Sequence, residues 1–364
     1  MTVRIDDLQL VWPRDLFIQE FRASTIRSAD PWDDDVTYSW TDRLDLLFSE
    51  AFYDDSGAEW LTSARAEGTL EALLAVIAAD QACVPVFTQP VLYRDRRNSS
   101  SATSKKPRFT FTQVRDRFED LVKELDSTGY FDAALGTDCV DSDNDHEKRG
   151  RHRLSDLMGS EEHWPPSLAI SGEDHTYTVV EAIHLMVARP RLRNYHSYGS
   201  EWHYSDFDRR AGRAVYRWRV NELLEQSSSL LRLDETGVLV ETTGDPRDEL
   251  LETLAHDEEA PSPNALHHAI DQFRRRGATR EDKRAAIIAL SGILETNRAL
   301  LKEELLRSDE GALFNIANSY AIRHQRADQR PDYDDAYLDW IFWWYLATVA
   351  LVKELLARQA ATST

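Results

Sequence analysis

The chain is poor in cysteine, with two in 364 residues, Cys83 and Cys139, far apart and without a CxxC pair. That excludes a disulfide-stapled scaffold and a cysteine-based zinc site, and it fits a reducing cytoplasm, where we expect the protein to reside. The glycine-rich and nucleophile signatures are missing as well: no GxxxxGK, GxGxxG, GxSxG or HExxH occurs. Without a backbone cradle for phosphate, ATPase and dinucleotide chemistry are disfavoured. Long apolar runs are scarce. The N-terminal MTVRIDDLQLVW has no signal core, and the longest run, Trp340–Val352, broken only by Thr348, has 13 residues and reads as too short to span a bilayer. Bases are outnumbered, 43 Lys and Arg against 64 Asp and Glu, a net charge of −21 that argues against general coating of nucleic acid or anionic membranes. The deficit is uneven. From Asn264 onward there are 14 bases and 14 acids, so the excess of 50 acids over 29 bases lies before it, and the last hundred residues approach a polyanion more easily.

What is present is helical and aromatic. Apolar residues at 42% and aromatics at 10% are ample for real cores. The periodicity predicts helices over 68–84, 111–131 (closed by Gly129), 176–188 and 208–226, with the aromatic and Arg-rich stretch from 189 as a loop. LLRLDETGVLVET (230–242) predicts a β-hairpin, and a helix followed by a hairpin has the order of a winged-helix unit. Residues 244–264 read as an acidic, proline-containing link. Beyond it come helices over NALHHAIDQFRRR, a long one from a Thr279/Asp282 capping box with the stripe Ile287, Leu290, Leu294, Leu301, then GALFNIANSYAIRHQR, then Asp335 to about Arg358. The expected organisation is an acidic N-terminal region (1–170), a middle helix and hairpin module (171–245) and a C-terminal bundle of four or five helices (264–360). The fold class is mainly α, with some β (α+β).

Several constellations have two readings. Asp141, Asp143 and Asp145 alternate as in a calcium loop, but His146 and His152 stand where that loop needs Gly and Glu, so a solvated acidic loop is favoured. Seven of eleven histidines lie between His146 and His203 at separations of 6, 11, 12, 9, 12 and 7, none a helical ligand pair, so no metal or other cofactor is expected. Residues 189–219 hold eight Arg, no Lys and seven aromatics. Arg forks grip phosphate and aromatic faces stack on unpaired bases, which makes Arg189, Arg191, Arg193, Arg213 and Arg217 candidate nucleic-acid contacts. The alternative is that their stems pack on Trp and Tyr while their charges pair with nearby acids.

Arg323 and His324 close a helix in NSYAIRHQR. Periodicity alone reads them as favouring the helix dipole and binding its free carbonyls; as chemistry they are a catalytic pair. The final helix is apolar most of the way round. Tyr337, Ile341, Trp344 and Leu351 form a stripe for the bundle's own core, and Trp340, Trp343 and Ala347 lie on a neighbouring face. A helix of that kind is covered on more than one side, by a second copy or by the N-terminal half.

Two stretches resemble a known family. NYHSYGSEWHYSDFDRRAGRAVYRWRVNELLEQ, with Trp202, His203, Tyr204, Phe207, Gly212, Asn221 and Leu224 ahead of a hairpin, resembles bacterial proteins of abortive-infection phage defence. The C-terminal helices with NSYAIRHQRADQRPDYDDAYLDWIFWWYLATVALV are similar to HEPN bundles, many of them dimeric, metal-independent RNases. The resemblance covers roughly 175–360. It implies an antiviral effector that cleaves RNA without metal or cofactor. A 2′-oxygen would attack the adjacent phosphorus, with His324 moving the proton, Arg323 holding charge on the phosphoryl oxygens and Asn318 orienting the substrate. It also implies a homodimer through the last helix. The HEPN signature places its Arg five to seven residues before the His, where this chain has Ser319, Asn318 and Ala317. Bundles without the signature serve as scaffolds, so a non-catalytic sensor or adaptor that binds itself or a protein partner is the alternative function.

Overall fold

The computed structural model describes residues 8–25, 40–79, 84–88, 109–136, 152–196, 201–255, 257–319 and 333–362. The chain is mainly α, with strand confined, among the described residues, to two small antiparallel hairpins, and it divides into two compact units. The first comprises residues 1–229 and 233–238; the second comprises 230–232 and 239–364. The boundary expected at 170 therefore lies inside the first unit, and the expected bundle, 264–360, lies inside the second.

The first unit opens with α1 (Arg14–Thr25), α2 (Trp40–Ala51), α3 (Ser56–Ala66) and α4 (Leu70–Ala79). Its early core is aromatic: Phe17 meets Phe48 and Phe52 edge-on, and Phe48 stacks on Trp60 at 5.5 Å between centroids. Next come α5 (Phe111–Ser127) and the short α6 (Asp132–Leu135) and α7 (Arg153–Met158), then α8 (Glu173–Met186). α5 starts at a capping box, Thr110 with Gln113, which satisfies orphan amides at the helix start.

Residues 189–208, expected as a loop, form a hairpin of β1 (Arg189–His196) and β2 (Glu201–Asp208), in the register Arg193 to Tyr204 and Tyr195 to Trp202. Asp208 then caps α9 (Arg209–Glu225) by accepting from the Ala211 amide at 2.9 Å. The expected second hairpin is present as β3 (Leu231–Leu233) and β4 (Leu239–Glu241), and Asn221 of α9 both donates to the Leu233 carbonyl and accepts from its amide.

Beyond β4 the regular elements among the second unit's described residues are helices: α10 (Arg247–Ala255), α11 (Pro263–Arg274), α12 (Arg280–Thr296), α13 (Arg298–Glu304), α14 (Arg307–Ser319) and α15 (Ala336–Thr362). The stretch read as a link contains α10, whose Leu251 and Leu254 enter the core. The capping box Thr279/Asp282 is formed, but the long helix breaks at Asn297 into α12 and α13. α15 puts Leu338, Ile341, Phe342, Tyr345, Leu346, Val349, Val352 and Leu355 into the core. Of the stripe expected to do so, only Ile341 is fully buried; Tyr337 and Leu351 face solvent, Trp344 is half-buried, and Trp343 packs edge-on to Phe273 and Phe342. By length and composition α15 is apolar enough to cross a bilayer, a property that the short unbroken run concealed; the same test is passed by core helices, and this one forms a core.

Candidate functional site

The base of the first hairpin is an ion-pair network. Arg189, with no exposed surface, lies between Glu20 of α1 and Glu50 of α2: its Nη1 is 3.0 Å from Glu20 Oε2, and its Nε donates to Glu50 Oε2 at 3.0 Å. The Trp12 ring lies 5.1 Å from the guanidinium carbon. Burial opposes the arginine's charge, but Glu50, Tyr130 and Glu20 outweigh it and raise the arginine's pKa; burial also raises that of Glu50. Arg191 donates to both Glu20 oxygens, at 3.2 and 3.0 Å, and to Asp208 at 2.7 Å. Two arginines offered as polyanion contacts are thus engaged internally. Arg189 is inaccessible to any ligand in this conformation, and Arg191 is mostly covered, because carboxylates from two helices converge where the strand starts.

The tip has a different character. Tyr195 and Trp202 face each other across the strands, 56% and 46% exposed, with ring centroids 5.3 Å apart at 67°. Arg193 lies over the Trp202 ring at 4.7 Å. A flat indole backed by a guanidinium, with a second ring beside it, is a surface on which an unpaired base can stack while the cation serves its phosphate. The ribbon is anchored behind this tip. Tyr204 lies against Gly129, at φ +78°, where a Cβ would be 2.3 Å from the ring, and its hydroxyl donates to the Ser127 carbonyl. Arg43 pairs with Asp206 at 2.9 Å. Nearby Asp132 is pushed up to about 6 by burial and the charge of Asp126, with His203 opposing the shift; Trp164 donates to Asp126 at 3.0 Å.

Arg213 and Arg217 sit one turn apart on α9, half-buried. They flank His184 of α8, which is 1% exposed and whose pKa is lowered to about 4 by burial and then by these two cations. Neither ring nitrogen of His184 meets a hydrogen-bond partner among the described residues, and the turn at Gly237 closes over it. A shallow groove of about 210 Å³ between α5 and α9 is lined by Phe109, Arg117, Arg219 and Glu222, but Arg219 is gripped at 2.9 Å by both oxygens of Glu124.

Of the catalytic candidates, Asn318 falls in the last turn of α14, and Arg323 and His324 lie outside the described residues, as does the loop with Asp141, Asp143 and Asp145. Among the described residues no three His, Cys, Asp or Glu side chains converge as metal ligands. The site that sequence reasoning missed is the paired tip. Its signal was arginine at every second position from 189 to 193 with Tyr195 next in that series, and the Gly199 that follows. Comparison with family models, with characterised proteins and with solved structures yields no match to this chain.

Proposed function

We propose that this chain binds single-stranded RNA through the tip of the β1–β2 hairpin and acts as an RNA-directed effector of phage defence, of the abortive-infection type. The observation that carries the reading is the exposed Tyr195–Trp202 pair with Arg193 over the indole. The two exposed rings and the cation lie together on one strand face, and base stacking tolerates any sequence because every base has a π face. The C-terminal bundle is then the effector, a metal-independent ribonuclease in which the 2′-oxygen bonds to phosphorus as the bond to the next nucleotide's 5′-oxygen breaks, His324 takes the 2′-hydroxyl proton and returns one to the leaving 5′-oxygen, Arg323 holds phosphoryl charge and Asn318 orients the substrate. Of the five arginines first considered as contacts, Arg193 is the one placed at the tip. Fluorescence anisotropy with a labelled single-stranded RNA tests the binding half. Trp202→Ala should weaken binding by about 5- to 100-fold, the worth of one stacked base, and more with Tyr195→Ala. Arg193→Gln should also flatten the salt dependence. Binding that is absent, or indifferent to all three changes, overturns the proposal.

The second reading is a non-catalytic adaptor acting through the bundle. The exposed aromatic side of α15, with Trp340 50% exposed, favours it.

A further inference from the structure

The groove between α5 and α9 is built from one face of each helix. Arg117, Leu121 and Glu124 follow at spacings of four and three on α5, and Arg219, Leu223 and Gln226 at the same spacings along α9 and just past it. Both ends are closed. At one, Glu124 holds both outer nitrogens of Arg219 at 2.9 Å. At the other, the backbone fixes Phe109: its amide donates to the Gln226 carbonyl at 2.8 Å, and its carbonyl accepts from the Ser228 amide at 3.3 Å. Leu121 and Leu223, both buried, form the floor. Between the ends stand two opposite charges. Arg117 lies over the Phe109 ring at 3.9 Å, a cation–π contact that orients it, and otherwise makes only a long 3.4 Å bond to the Gln113 carbonyl of its own helix. Glu222, on the facing helix, makes no ion pair among the described residues, and the nearby Arg219 is already gripped by Glu124. Arg117 and Glu222 line one groove without pairing, so a donating edge and an accepting edge stand apart in it.

We propose that this groove binds a single guanine base, with Glu222 accepting from its N1–H and N2 amino group and Arg117 donating to its O6 and N7. The volume of about 210 Å³ is below the roughly 300–1,000 Å³ of pockets for larger ligands and suits one flat ring system lying on an apolar floor. Guanine is the base whose two edges match. An arginine fork fits O6 and N7, two acceptors side by side, and a carboxylate fits the two donors of the Watson–Crick edge. Adenine inverts both edges: it offers an amino donor where Arg117 donates, and an acceptor at N1 where Glu222 accepts. Cytosine and uracil have no N7 edge. A free amino acid carries both charges on one carbon, which suits partners close enough to pair with each other, unlike Arg117 and Glu222. A bare phosphate would meet the carboxylates of Glu222 and Glu124 beside the one unpaired cation. The site is separate from the hairpin tip and holds whether or not RNA stacks there. The two are neighbours, since the Ser127 carbonyl that accepts from Tyr204 lies one turn past Glu124 on α5.

Isothermal titration calorimetry of the full chain with GMP, IMP and AMP tests this. GMP should bind, and AMP should bind about 5- to 150-fold more weakly, the worth of one matched base edge. IMP, which lacks only the N2 amino group, should fall between them. Arg117 and Glu222 are exposed, so Arg117→Gln and Glu222→Gln should keep native circular dichroism while each weakens GMP by a similar factor. Glu222→Gln should also narrow the gap between GMP and IMP, which a merely structural residue would not do. Absence of GMP binding at millimolar concentration overturns the proposal. So does equal binding of GMP and AMP, which marks the phosphate as the contact, or displacement of GMP by an equal concentration of leucine, which gives the groove to a zwitterion. Labelled single strands separate the sources of the base. A uridine strand carrying one guanosine that outbinds an all-uridine strand, by a margin that Glu222→Gln removes, places the guanine in RNA. Equal strands with GMP still bound place it in a free nucleotide. Strands indifferent to Trp202→Ala while GMP still binds would remove the hairpin reading and leave the groove standing.

Discussion

Replacing Gly237 with Ala tests how the second hairpin is seated. Gly237 closes the Asp234–Gly237 turn at φ +87°, a region that L side chains rarely adopt. An alanine there meets a strain of about 1–2 kcal/mol from its own backbone. Its Cβ would also stand 2.0 Å from His184 Nδ1, a distance no pair of such atoms tolerates. The imidazole is 1% exposed, so it has little room to retreat, and overpacking of this kind costs about 1–3 kcal/mol. The two contributions sum to about 2–5 kcal/mol, a large part of a domain's usual margin of about 5–15 kcal/mol. Gly68→Ala is the control: Gly68 has φ +70° and open space around its would-be Cβ, so it reports the backbone strain alone. Urea unfolding followed by circular dichroism should rank Gly237→Ala well below Gly68→Ala. In a His184→Ala background the difference should shrink by about 1–3 kcal/mol, because the clash has lost its partner. If Gly237→Ala costs no more than Gly68→Ala, or the cost is unchanged without the imidazole, the turn does not rest on His184 and the reasoning is wrong.

Three further outcomes are expected. His184 carries a folded pKa near 4 against about 6.5 when unfolded, so the unfolded chain binds the extra proton first. Stability is therefore full above pH 6.5 and falls towards pH 4 by up to about 3 kcal/mol, and a His184→Phe variant should show a flatter pH dependence of the unfolding midpoint. Arg189→Met leaves Glu50 buried without its cation and Glu20 held by Arg191 alone, and should destabilise the protein by about 3–5 kcal/mol in thermal or urea unfolding, with Arg189→Lys an incomplete rescue because a point charge cannot replace a fork. His324→Ala should abolish RNA cleavage and cellular toxicity while circular dichroism and RNA binding stay unchanged; retained cleavage removes the bundle as the nuclease.

Helices such as α5 and α12 were legible because apolar spacing and caps are local, whereas α1, α2, α3 and α10 were not read from the sequence. Val114, Phe118, Leu121, Val122 and Leu125 repeat at helical intervals and are all buried, and the Thr279/Asp282 box forms where the sequence places it. The second hairpin was legible from its turn residues. Local signals failed where burial came from elsewhere. Arg189 and Arg191 read as cations for a ligand, because the sequence does not reveal that Glu20 and Glu50, some 170 and 140 residues away, converge on them. The first hairpin read as a loop for a related reason: arginine holds every second position from 189 to 193, and Arg189 is buried only through its acid partners, so the strand lacks the usual apolar alternation.

By itself, then, the sequence determined the fold class, the starts of the capped helices α5 and α12 and the largely apolar circumference of the last helix, since each depends on residues within a turn or two of one another. Only the tertiary structure decided which face of that helix is core and which arginines are spent on acids. It also decided that Tyr195, Trp202 and Arg193 share one exposed tip, because burial and pairing depend on groups that chain order does not bring together.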